Sequence, residues 1–512
     1  MNHWIAAPFL LPALTACVLV FVRTVPAQRA ISLLSALTLA AIAGGLCLGH
    51  GNAPARVYAM GNWPSHLGIV FVLDGLAALM LVLTGVVAVA ALLYASRGWD
   101  TRSRHFHALF HVQLMGLNGA FLTGDLFNLF VCFELMLIAS YALLSHGDGS
   151  ARLRAGLHYV TVNLVGSAVF LIAVSLLYRV GGTLNMADLG AALANAPEAD
   201  RPWIRAGGLM LLCVFLLKGA AFPLHLWQPA AYGSASAPAA MIFSVLTKVG
   251  AYAVFRVSSV VFGATAAAPH IDAVVQPLAL LTLVVAALGA FSAKTLSRLV
   301  AWLALASSAS VLVGVGTFSA AGAGAAFFYA LPSTLALAAL FLLADAIADA
   351  RGAPWGDRLQ RAPRMHGATA LGLWYFAAAI AVSGLPPFAA FLGKALLMQG
   401  IGPSPWGWGI ILGTSLLNVV ALARAGSRLF WSIADVPCPG EPAAARFERL
   451  GGLALLGAGV VALTVAAGSV QEFTREAARQ VAMPSGYVAS VLGNRLKGWT
   501  IRIEVPEGGA DR

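Results

Sequence analysis

Three lysines stand inside long apolar stretches of this sequence, where a charged side chain is costly. They are Lys218 in FLLKGAAFPLHLW, Lys248 in SVLTKVGAYAVF and Lys394 in FLGKALLMQG. Arginine makes up 26 of the 31 lysine and arginine residues, so lysine in these stretches differs from the usual basic residue of this chain. Arginine stays protonated in any protein environment, whereas a desolvated lysine can lose its proton near neutral pH. These three residues are therefore suited to carry protons.

Two carboxylates accompany the lysines. Glu134 lies near the middle of the apolar segment 125–145, and Asp74 lies about a third of the way along the segment 67–95. An ionised glutamate in lipid is costly, so we expect Glu134 to face the interior of a helix bundle and to pair with Lys218 on another helix. Asp74 is an accessory candidate. The five cysteines form no CxxC pair, and neither a metal site nor a cofactor is expected.

The composition places these residues in a membrane. The chain is 60% hydrophobic and 10% charged, with a mean hydropathy of +0.85, whereas soluble domains carry about 25% charged residues. We predict an all-α, polytopic membrane protein. About fourteen apolar segments approach or exceed the length that a membrane-spanning helix needs: 4–22, 29–49, 67–95, 107–123, 125–145, 157–179, 204–222, 236–262, 270–291, 295–318, 322–348, 371–400, 405–431 and 450–470.

Prolines interrupt two of these spans close to a lysine. Pro223 follows Lys218 by five residues, and Pro386 and Pro387 precede Lys394. Broken helices are tolerated at membrane depth only where the freed backbone groups meet protein or water, and transporters place them in pairs around an ion path. The seventh and twelfth spans are therefore predicted to be broken at these prolines.

The positions of the two breaks suggest an internal repeat. Each broken span is the fourth of five consecutive spans, and a shift by five spans inverts the second unit across the membrane. The predicted divisions are 1–106 with the first three spans, 107–262 and 263–431 as two inverted five-span repeats, 432–470 with the last span, and 471–512 as a polar tail.

The loops differ in charge. Those after the first, third, fifth, ninth, eleventh and thirteenth spans hold 15 lysines and arginines, against 4 after the second, fourth, sixth, eighth, tenth and twelfth. By the positive-inside rule the first set faces the cytoplasm, so both termini are predicted on the outer side of the cytoplasmic membrane. The net charge of +11 mostly reflects this bias, and no nucleic-acid partner is expected.

Three stretches carry a resemblance to a known family: HFHALFHVQLMGLNGAFLTGDLFNLFVCFELMLIASYALLSH, FLLKGAAFPLHLWQPAAYGSASAPAAMIFSVLTKVGAYAVFRV and SGLPPFAAFLGK. The chain resembles the D subunit of the multisubunit Mrp, Mnh or Pha monovalent cation/proton antiporters, which is similar to the antiporter-like membrane subunits of respiratory complex I. The resemblance implies a hetero-oligomeric complex that expels Na⁺ or K⁺ with the proton gradient. It also implies a central polar axis of Glu134, Lys218, Lys248 and Lys394.

The sequence departs from that family at the eleventh span. Family members often carry a histidine there, but this chain has no histidine between His270 and His366 and reads YALPSTLAL instead. We expect Ser333, Thr334 or water to bridge the axis at this point. His225, just past the first break, could serve a proton entry route or could be a structural histidine.

Three kinds of function fit these observations. The first is an antiporter subunit, and the second is the proton-pumping membrane arm of a complex I-type oxidoreductase or membrane-bound hydrogenase. The third is a scaffold within such a complex that conducts nothing. The chain has no redox motif, so in the first two cases it would move ions and not electrons.

Overall fold

Long helices make up most of the structure. The computed structural model describes residues 3–51, 53–65, 68–147, 150–434 and 451–493. Within these ranges nine helices are long and apolar enough to cross a membrane, or ten if one sharply bent pair counts as a single span. The prediction of a predominantly helical, polytopic membrane protein is confirmed. The count of fourteen spans and their arrangement in repeats stay predictions.

The first part of the chain packs helices around a short hairpin. Strand β1 pairs with β2 in antiparallel fashion, with Arg56 opposite Leu73. The elements are α1 (Ala7–Phe21), α2 (Val25–His50), β1 (Arg56–Ala59), β2 (Val70–Leu73), α3 (Gly75–Ala95) and α4 (Phe106–Leu122). The predicted third span, 67–95, is therefore helical only from Gly75 onward.

The middle of the chain contains the first broken helix. Its elements are α5 (Leu126–Leu144), α6 (Ser150–Gly181), α7 (Met186–Ala194), α8 (Arg201–Lys218), α9 (Trp227–Tyr232) and α10 (Ala237–Val257). Helix α8 ends at Lys218, and the chain becomes helical again only at Trp227. The break predicted at Pro223 is confirmed.

The remaining elements include the second break. They are α11 (Ala268–Ser292), α12 (Leu296–Val315), α13 (Ala320–Arg351), β3 (Ala362–Pro363), α14 (Ala368–Ser383), α15 (Ala389–Gly400), α16 (Pro405–Phe430), β4 (Ile433–Ala434), α17 (Gly451–Val465), α18 (Ala467–Ala482) and α19 (Ser485–Leu492). The interval between α14 and α15 contains Pro386 and Pro387. The break predicted there is confirmed.

Several helices begin at side-chain caps. Asp125 accepts the Asn128 N–H at 2.8 Å at the start of α5, and Ser319 accepts the Gly322 N–H at 3.0 Å at the start of α13. A capping side chain satisfies one of the backbone donors that the first turn of a helix leaves free. These caps fix where the helices that carry Glu134 and Ser333 begin.

Helices α10 and α13 form the centre of the bundle. They are the two spans whose most apolar stretch is buried along its whole length. Helix α13 packs against α10, α12, α14, α15, α17 and α18. Helix α10 carries Lys248, and helix α13 carries Ser333 and Thr334. These residues thus lie on the two helices that are farthest from lipid.

The last predicted span is bent. Helix α17 meets α18 at an angle of 83° near residue 466, inside the predicted span 450–470. Helix α18 buries Thr474, Ala477, Ala478 and Val481 against α13 and α3. The sequence predicted a polar tail from residue 471 onward. In the structure α18 continues as a helix to Ala482 and packs against α3 and α13. The predicted tail from residue 494 onward lies outside the described residues, as do residues 435–450, which include Cys438.

Helix α3 is tied down at both ends by an ion pair. At its start Asp74 caps the helix through the Ala77 N–H at 2.9 Å, and its carboxylate accepts both terminal nitrogens of Arg256 on α10, one of them at 2.8 Å. The prediction that Asp74 lies within a helix is wrong, because the preceding residues form β2. Asp74 is 2% exposed and Arg256 3%.

Beyond the other end of α3, the Asp100 carboxylate forms hydrogen bonds with Arg29 and His107. The Arg29 Nε donates to Asp100 Oδ2 at 2.6 Å, and His107 Nε2 lies 3.2 Å from the same oxygen. Burial alone would raise the pKa of the Asp100 carboxyl, but the hydrogen bonds from Arg29 and His107 lower that pKa to about 2. The loop is therefore anchored to α2 and α4 by a carboxylate that stays ionised at neutral pH.

We predict that Asp74→Ala lowers the free energy of unfolding by about 3–5 kcal/mol, because it leaves the Arg256 guanidinium buried without a counterion. The measurement is the thermal unfolding of the purified complex in detergent. Glu198→Ala is the matched control, since Glu198 pairs with Arg201 at 2.7 Å with its side chain 84% exposed. That change is expected to cost less than about 1 kcal/mol. Equal effects of the two substitutions would show that the buried pair does not hold α3 to α10.

Candidate functional site

The break after α8 is closed by side chains from two other helices. The Ser308 hydroxyl on α12 donates to the Gly219 carbonyl at 2.9 Å, and the Phe222 N–H donates to Thr282 Oγ1 on α11 at 2.8 Å. Polar backbone groups left free in an apolar interior cost several kcal/mol each. The two hydroxyls therefore allow the helix to stop at Lys218 inside the bundle.

Helix α10 crosses this break at very short range. A Cβ atom placed on Gly250 would collide with the Gly219 nitrogen and lie 2.8 Å from the carbonyl carbon of Lys218. Side-chain Cβ atoms essentially never approach backbone that closely. Glycine at this position is what lets α10, and Lys248 on it, pass directly beside the end of α8.

Lys218 lies beside an aromatic ring and a small cavity. Its Nζ atom is 5.6 Å from the centroid of the Phe133 ring. The cavity next to it has a volume of about 20 Å³ and is lined also by Tyr159 and Asn163. This volume is sufficient for a water molecule, and the two polar side chains supply hydrogen-bonding partners for one.

Glu134 lies on the face of α5 that meets α6. Its carboxylate accepts a hydrogen bond from the Ser167 hydroxyl. The predicted ion pair with Lys218 is not formed as a direct contact, because no nitrogen–oxygen distance within 4.0 Å joins the two among the described residues. The Glu134 charge still acts on the Lys218 ammonium at longer range. Adjacent residues on a helix project about 100° apart. Phe133 faces Lys218, and Glu134 consequently points toward Ser167.

Lys248 is fully buried in the middle of α10. Its exposed fraction is 0%, and in the described part of the chain its Nζ has no hydrogen-bond partner. The hydroxyls of Thr247 and Thr334 are buried and without a partner in the same sense. Buried polar groups are nearly always hydrogen-bonded to protein or ordered water, and a buried lysine without a protein partner is a candidate for proton exchange.

Serine and tyrosine hydroxyls occupy the part of the eleventh span where members of the resembled family often carry a histidine. Ser333 on α13 and Ser307 on α12 are hydrogen-bonded at 3.0 Å. The Tyr329 hydroxyl interacts with both of them and with Ser310. Gly393 on α15 packs on Tyr329, where a Cβ would lie 3.0 Å from the Tyr329 Cα. The cluster therefore connects the centre of the bundle to the helix that carries Lys394.

Lys394 folds back onto the second break. Its Nζ donates to the Ser383 carbonyl at 2.7 Å and to the Ser415 hydroxyl at 2.9 Å. Gly384, the residue after Ser383, has a φ of +68°, and a Cβ on it would lie 2.8 Å from the Lys394 Cδ. The ammonium thus reaches the last carbonyls of α14, which carry the partial negative charge of a helix C-terminus.

His225 lies inside the first break and is 4% exposed. Its ring stacks on Phe222 with a centroid distance of 5.7 Å, and its Nδ1 has no partner among the described residues. The histidine is packed as a structural residue would be, but one ring nitrogen is left to exchange a proton.

The structure adds residues that the sequence did not single out: Ser167, Gly250, Ser307 and Tyr329. Their signal is weak, because serine, glycine and tyrosine are common in membrane helices. These residues become significant only through their positions in the folded bundle. Among them, Gly250 is close in sequence to a charged residue, two positions after Lys248.

A helix bundle that holds Glu134, Lys218 and Lys394 half-buried and Lys248 fully buried, with two of the lysines at helix breaks, has the architecture of membrane proteins that move protons or cations. The chain belongs to the NADH:quinone oxidoreductase/Mrp antiporter transmembrane family, whose model matches residues 123–419. All four of the charged axis residues lie within the matched range.

Relatives narrow the comparison to one type of antiporter component. The chain is 38% identical over 478 residues to the probable K⁺/H⁺ antiporter D subunit of Rhizobium meliloti, with 86% of this chain and 89% of the relative covered. It is 32% identical to the Na⁺/H⁺ antiporter D subunit of Bacillus subtilis, with 96% and 100% covered. A chain in the structure of the Mrp complex from Dietzia sp. DQ12-45-1b superimposes with a TM-score of 0.84 at 26% identity, covering 96% and 100%. The resemblance to the D subunit of these antiporters is confirmed.

We predict that Gly250→Val abolishes transport, because the side chain would push α10 away from the end of α8 and separate Lys248 from the break. The measurement is proton-coupled cation flux in vesicles that contain the assembled complex. Gly45→Val is the matched control, since a Cβ on Gly45 in α2 meets nothing within 4 Å. Wild-type flux with Gly250→Val would show that the close crossing has no role in transport.

Proposed function

We propose that this chain is the proton-translocating subunit of a hetero-oligomeric monovalent cation/proton antiporter, which expels Na⁺ or K⁺ by means of the proton gradient. The observation that supports this proposal most strongly is the set of ionisable groups inside the bundle, Glu134, Lys218, Lys248 and Lys394, of which Lys248 is fully buried and the other three are half-buried. A buried lysine without a fixed counterion is suited to gain and lose a proton, because its charged form is not locked in place.

The proton route runs across successive helix contacts. Helix α5 packs against α6, α8 against α10, α10 against α13, and α13 against α15. We place Glu134 at one end, Lys218 and its cavity next, Lys248 at the centre, and Lys394 at the other end. The hydroxyls of Ser307, Ser333 and Tyr329 carry the proton between Lys248 and Lys394, where hydrogen bonds can pass it on without a titrating histidine.

The second helix break gives Lys394 two states. In its protonated form Lys394 is stabilised by the Ser383 carbonyl and the Ser415 hydroxyl. Once the proton has left, the neutral amine loses its attraction to the helix C-terminus and can turn away from it. Lys218, the last residue of α8, is placed differently, with its ammonium over the Phe133 ring and beside the small cavity.

Two inverted repeats organise this route in the proposal. The first, 107–262, contains α4, α5, α6, α8–α9 and α10, and the second, 263–431, contains α11, α12, α13, α14–α15 and α16. The broken helix is the fourth span of each. With the arginine-rich loops in the cytoplasm, the protein lies in the cytoplasmic membrane with both termini on the outer side.

The names of the relatives favour the antiporter over the membrane arm of a redox complex. The relatives that cover most of this chain are named as the D subunit of an antiporter, for K⁺ in one case and for Na⁺ in another. The partners are accordingly the other subunits of such an antiporter, together with the surrounding lipid. The third alternative, a non-conducting scaffold, makes a different prediction for the buried charges, and the following experiments separate it.

We predict that Glu134→Ala abolishes antiport while the complex still assembles. Removal of the carboxylate takes away the proton acceptor that Ser167 orients. The measurement is cation-driven proton flux in vesicles, with assembly checked by co-purification of the other subunits. Glu198→Ala removes an exposed carboxylate and serves as the control. Normal flux in vesicles that contain the Glu134→Ala complex would favour the scaffold and rule out the proposed route.

We predict that Lys218→Arg and Lys394→Arg each lower antiport by at least about tenfold, although both keep the positive charge. The pKa of arginine lies so far above neutral pH that its neutral form is out of reach. The measurement is antiport activity together with its dependence on pH. Lys294→Arg is the control, because Lys294 is exposed and outside the route.

Arginine is also bulkier than lysine, so a loss of activity alone has two explanations. The pH profile separates them: a steric defect scales the activity at every pH, whereas a defect in proton release changes the shape of the profile. Substantial antiport by both arginine variants, with the wild-type pH profile, would show that these lysines are fixed charges.

A further inference from the structure

A large basic cavity lies at one end of the bundle, away from the polar axis. It has a volume of about 680 Å³ and lies where α11 ends, α12 begins and α16 ends. Four cationic side chains line it, Lys294, Arg358, Arg424 and Arg428, and no carboxylate does. All four are exposed. A concave surface with this charge attracts an anion.

Hydrogen bonds connect the segments that form the walls of the cavity. The Leu359 N–H donates to the Lys294 carbonyl at 2.9 Å, and Arg428 Nη1 donates to the Leu359 carbonyl at 3.2 Å. The neighbouring carboxylate, Asp357, is used elsewhere, because it accepts the Ser297 N–H at 2.9 Å in the first turn of α12. No ion pair within 4.0 Å joins the four cationic side chains to a carboxylate in the described part of the chain.

Arg424 is the most informative of the four. It lies six residues before the end of α16, which is about 9 Å along the helix axis. Its guanidinium is held 4.4 Å above the centroid of the Phe291 ring on α11. A long basic side chain at this depth extends toward the headgroup level, where an anionic group is a favourable partner.

Apolar side chains continue from the cavity along both helices. On α16, Leu412, Leu416 and Val420 precede Arg424 at four-residue intervals and are 57%, 64% and 38% exposed. On α11, Leu288 precedes Phe291 and is 55% exposed. The two helices pack side by side. This surface thus joins a cationic head region to an apolar strip, as a phospholipid joins its phosphate to its acyl chains.

We propose that this cavity binds the phosphodiester headgroup of an anionic phospholipid whose acyl chains lie along α11 and α16. Basic pockets between membrane helices are suited to such headgroups. In the orientation proposed above, the lipid belongs to the cytoplasmic leaflet. A lipid fits better than a partner protein, because the apolar strip is continuous with the membrane-facing sides of both helices.

The test compares lipid binding by variants of the assembled complex. The pair Arg424→Gln and Arg428→Gln is made together, and Arg104→Gln with Arg154→Gln is the matched control, since those arginines are exposed and outside the cavity. Each complex is purified in detergent and titrated with phosphatidylglycerol, phosphatidylcholine or glycerol 3-phosphate. Native mass spectrometry counts the bound lipids, and the thermal unfolding midpoint reports stabilisation.

We expect phosphatidylglycerol to bind to and stabilise the wild-type and control complexes, with at least about tenfold weaker binding in the Arg424/Arg428 variant. The pair Arg424→Lys and Arg428→Lys, which keeps the charge, should retain most of the binding and guards against a folding defect. Equal binding by the glutamine variant and the control would overturn the proposal. Equal protection by glycerol 3-phosphate would assign the cavity to a soluble anion, and loss of another subunit from the glutamine variant alone would assign it to a protein partner.

Discussion

A helix that stops inside an apolar bundle must find hydrogen-bond partners for the backbone groups it frees, and much of the site depends on how this chain meets that requirement. At the first break Ser308 and Thr282 supply hydroxyls to the backbone of residues 219 and 222. At the second break Thr464 on α17 accepts the Ala389 N–H at 3.1 Å at the start of α15. Both breaks are therefore built by helices distant in sequence, and each lysine is positioned by a contact that only the folded bundle provides.

The chain separates its fixed charges from its exchangeable ones by residue type. Its buried or half-buried arginine–aspartate pairs, Arg256 with Asp74 and Arg29 with Asp100, hold helices together. Its buried lysines make no ion pair within 4.0 Å to any described carboxylate. A permanently charged guanidinium suits a structural role, whereas an ammonium without a counterion can change its protonation state at a lower electrostatic cost.

Hydropathy and proline spacing were sufficient to predict the membrane class, the helices around Glu134 and Lys248, and both breaks. They were not sufficient to pair Glu134 with its partner, because the partner depends on the rotation of α5 about its axis, which brings Phe133 to Lys218 and Glu134 to Ser167. The bend near residue 466 was also missed, since α17 and α18 read as one apolar segment running into a polar one. The hydroxyl cluster around Ser333 joins side chains of α12 and α13, with Ser307 and Ser333 26 positions apart in sequence, so no local pattern predicts it.

Helix α10 has a consequence for how the protein enters the membrane. Of the nine long spans in the described part of the chain it has the lowest mean hydropathy, 1.5, and it is also one of the two that are buried along the whole of their most apolar stretch. A lysine at the centre of an isolated helix raises the cost of insertion by about 2.5–3.5 kcal/mol. Helix α10 packs against α3, α4 and α8, which precede it in the chain, and against α12 and α13, which follow it. The full burial of Lys248 therefore requires helices from both sides of α10 in the sequence.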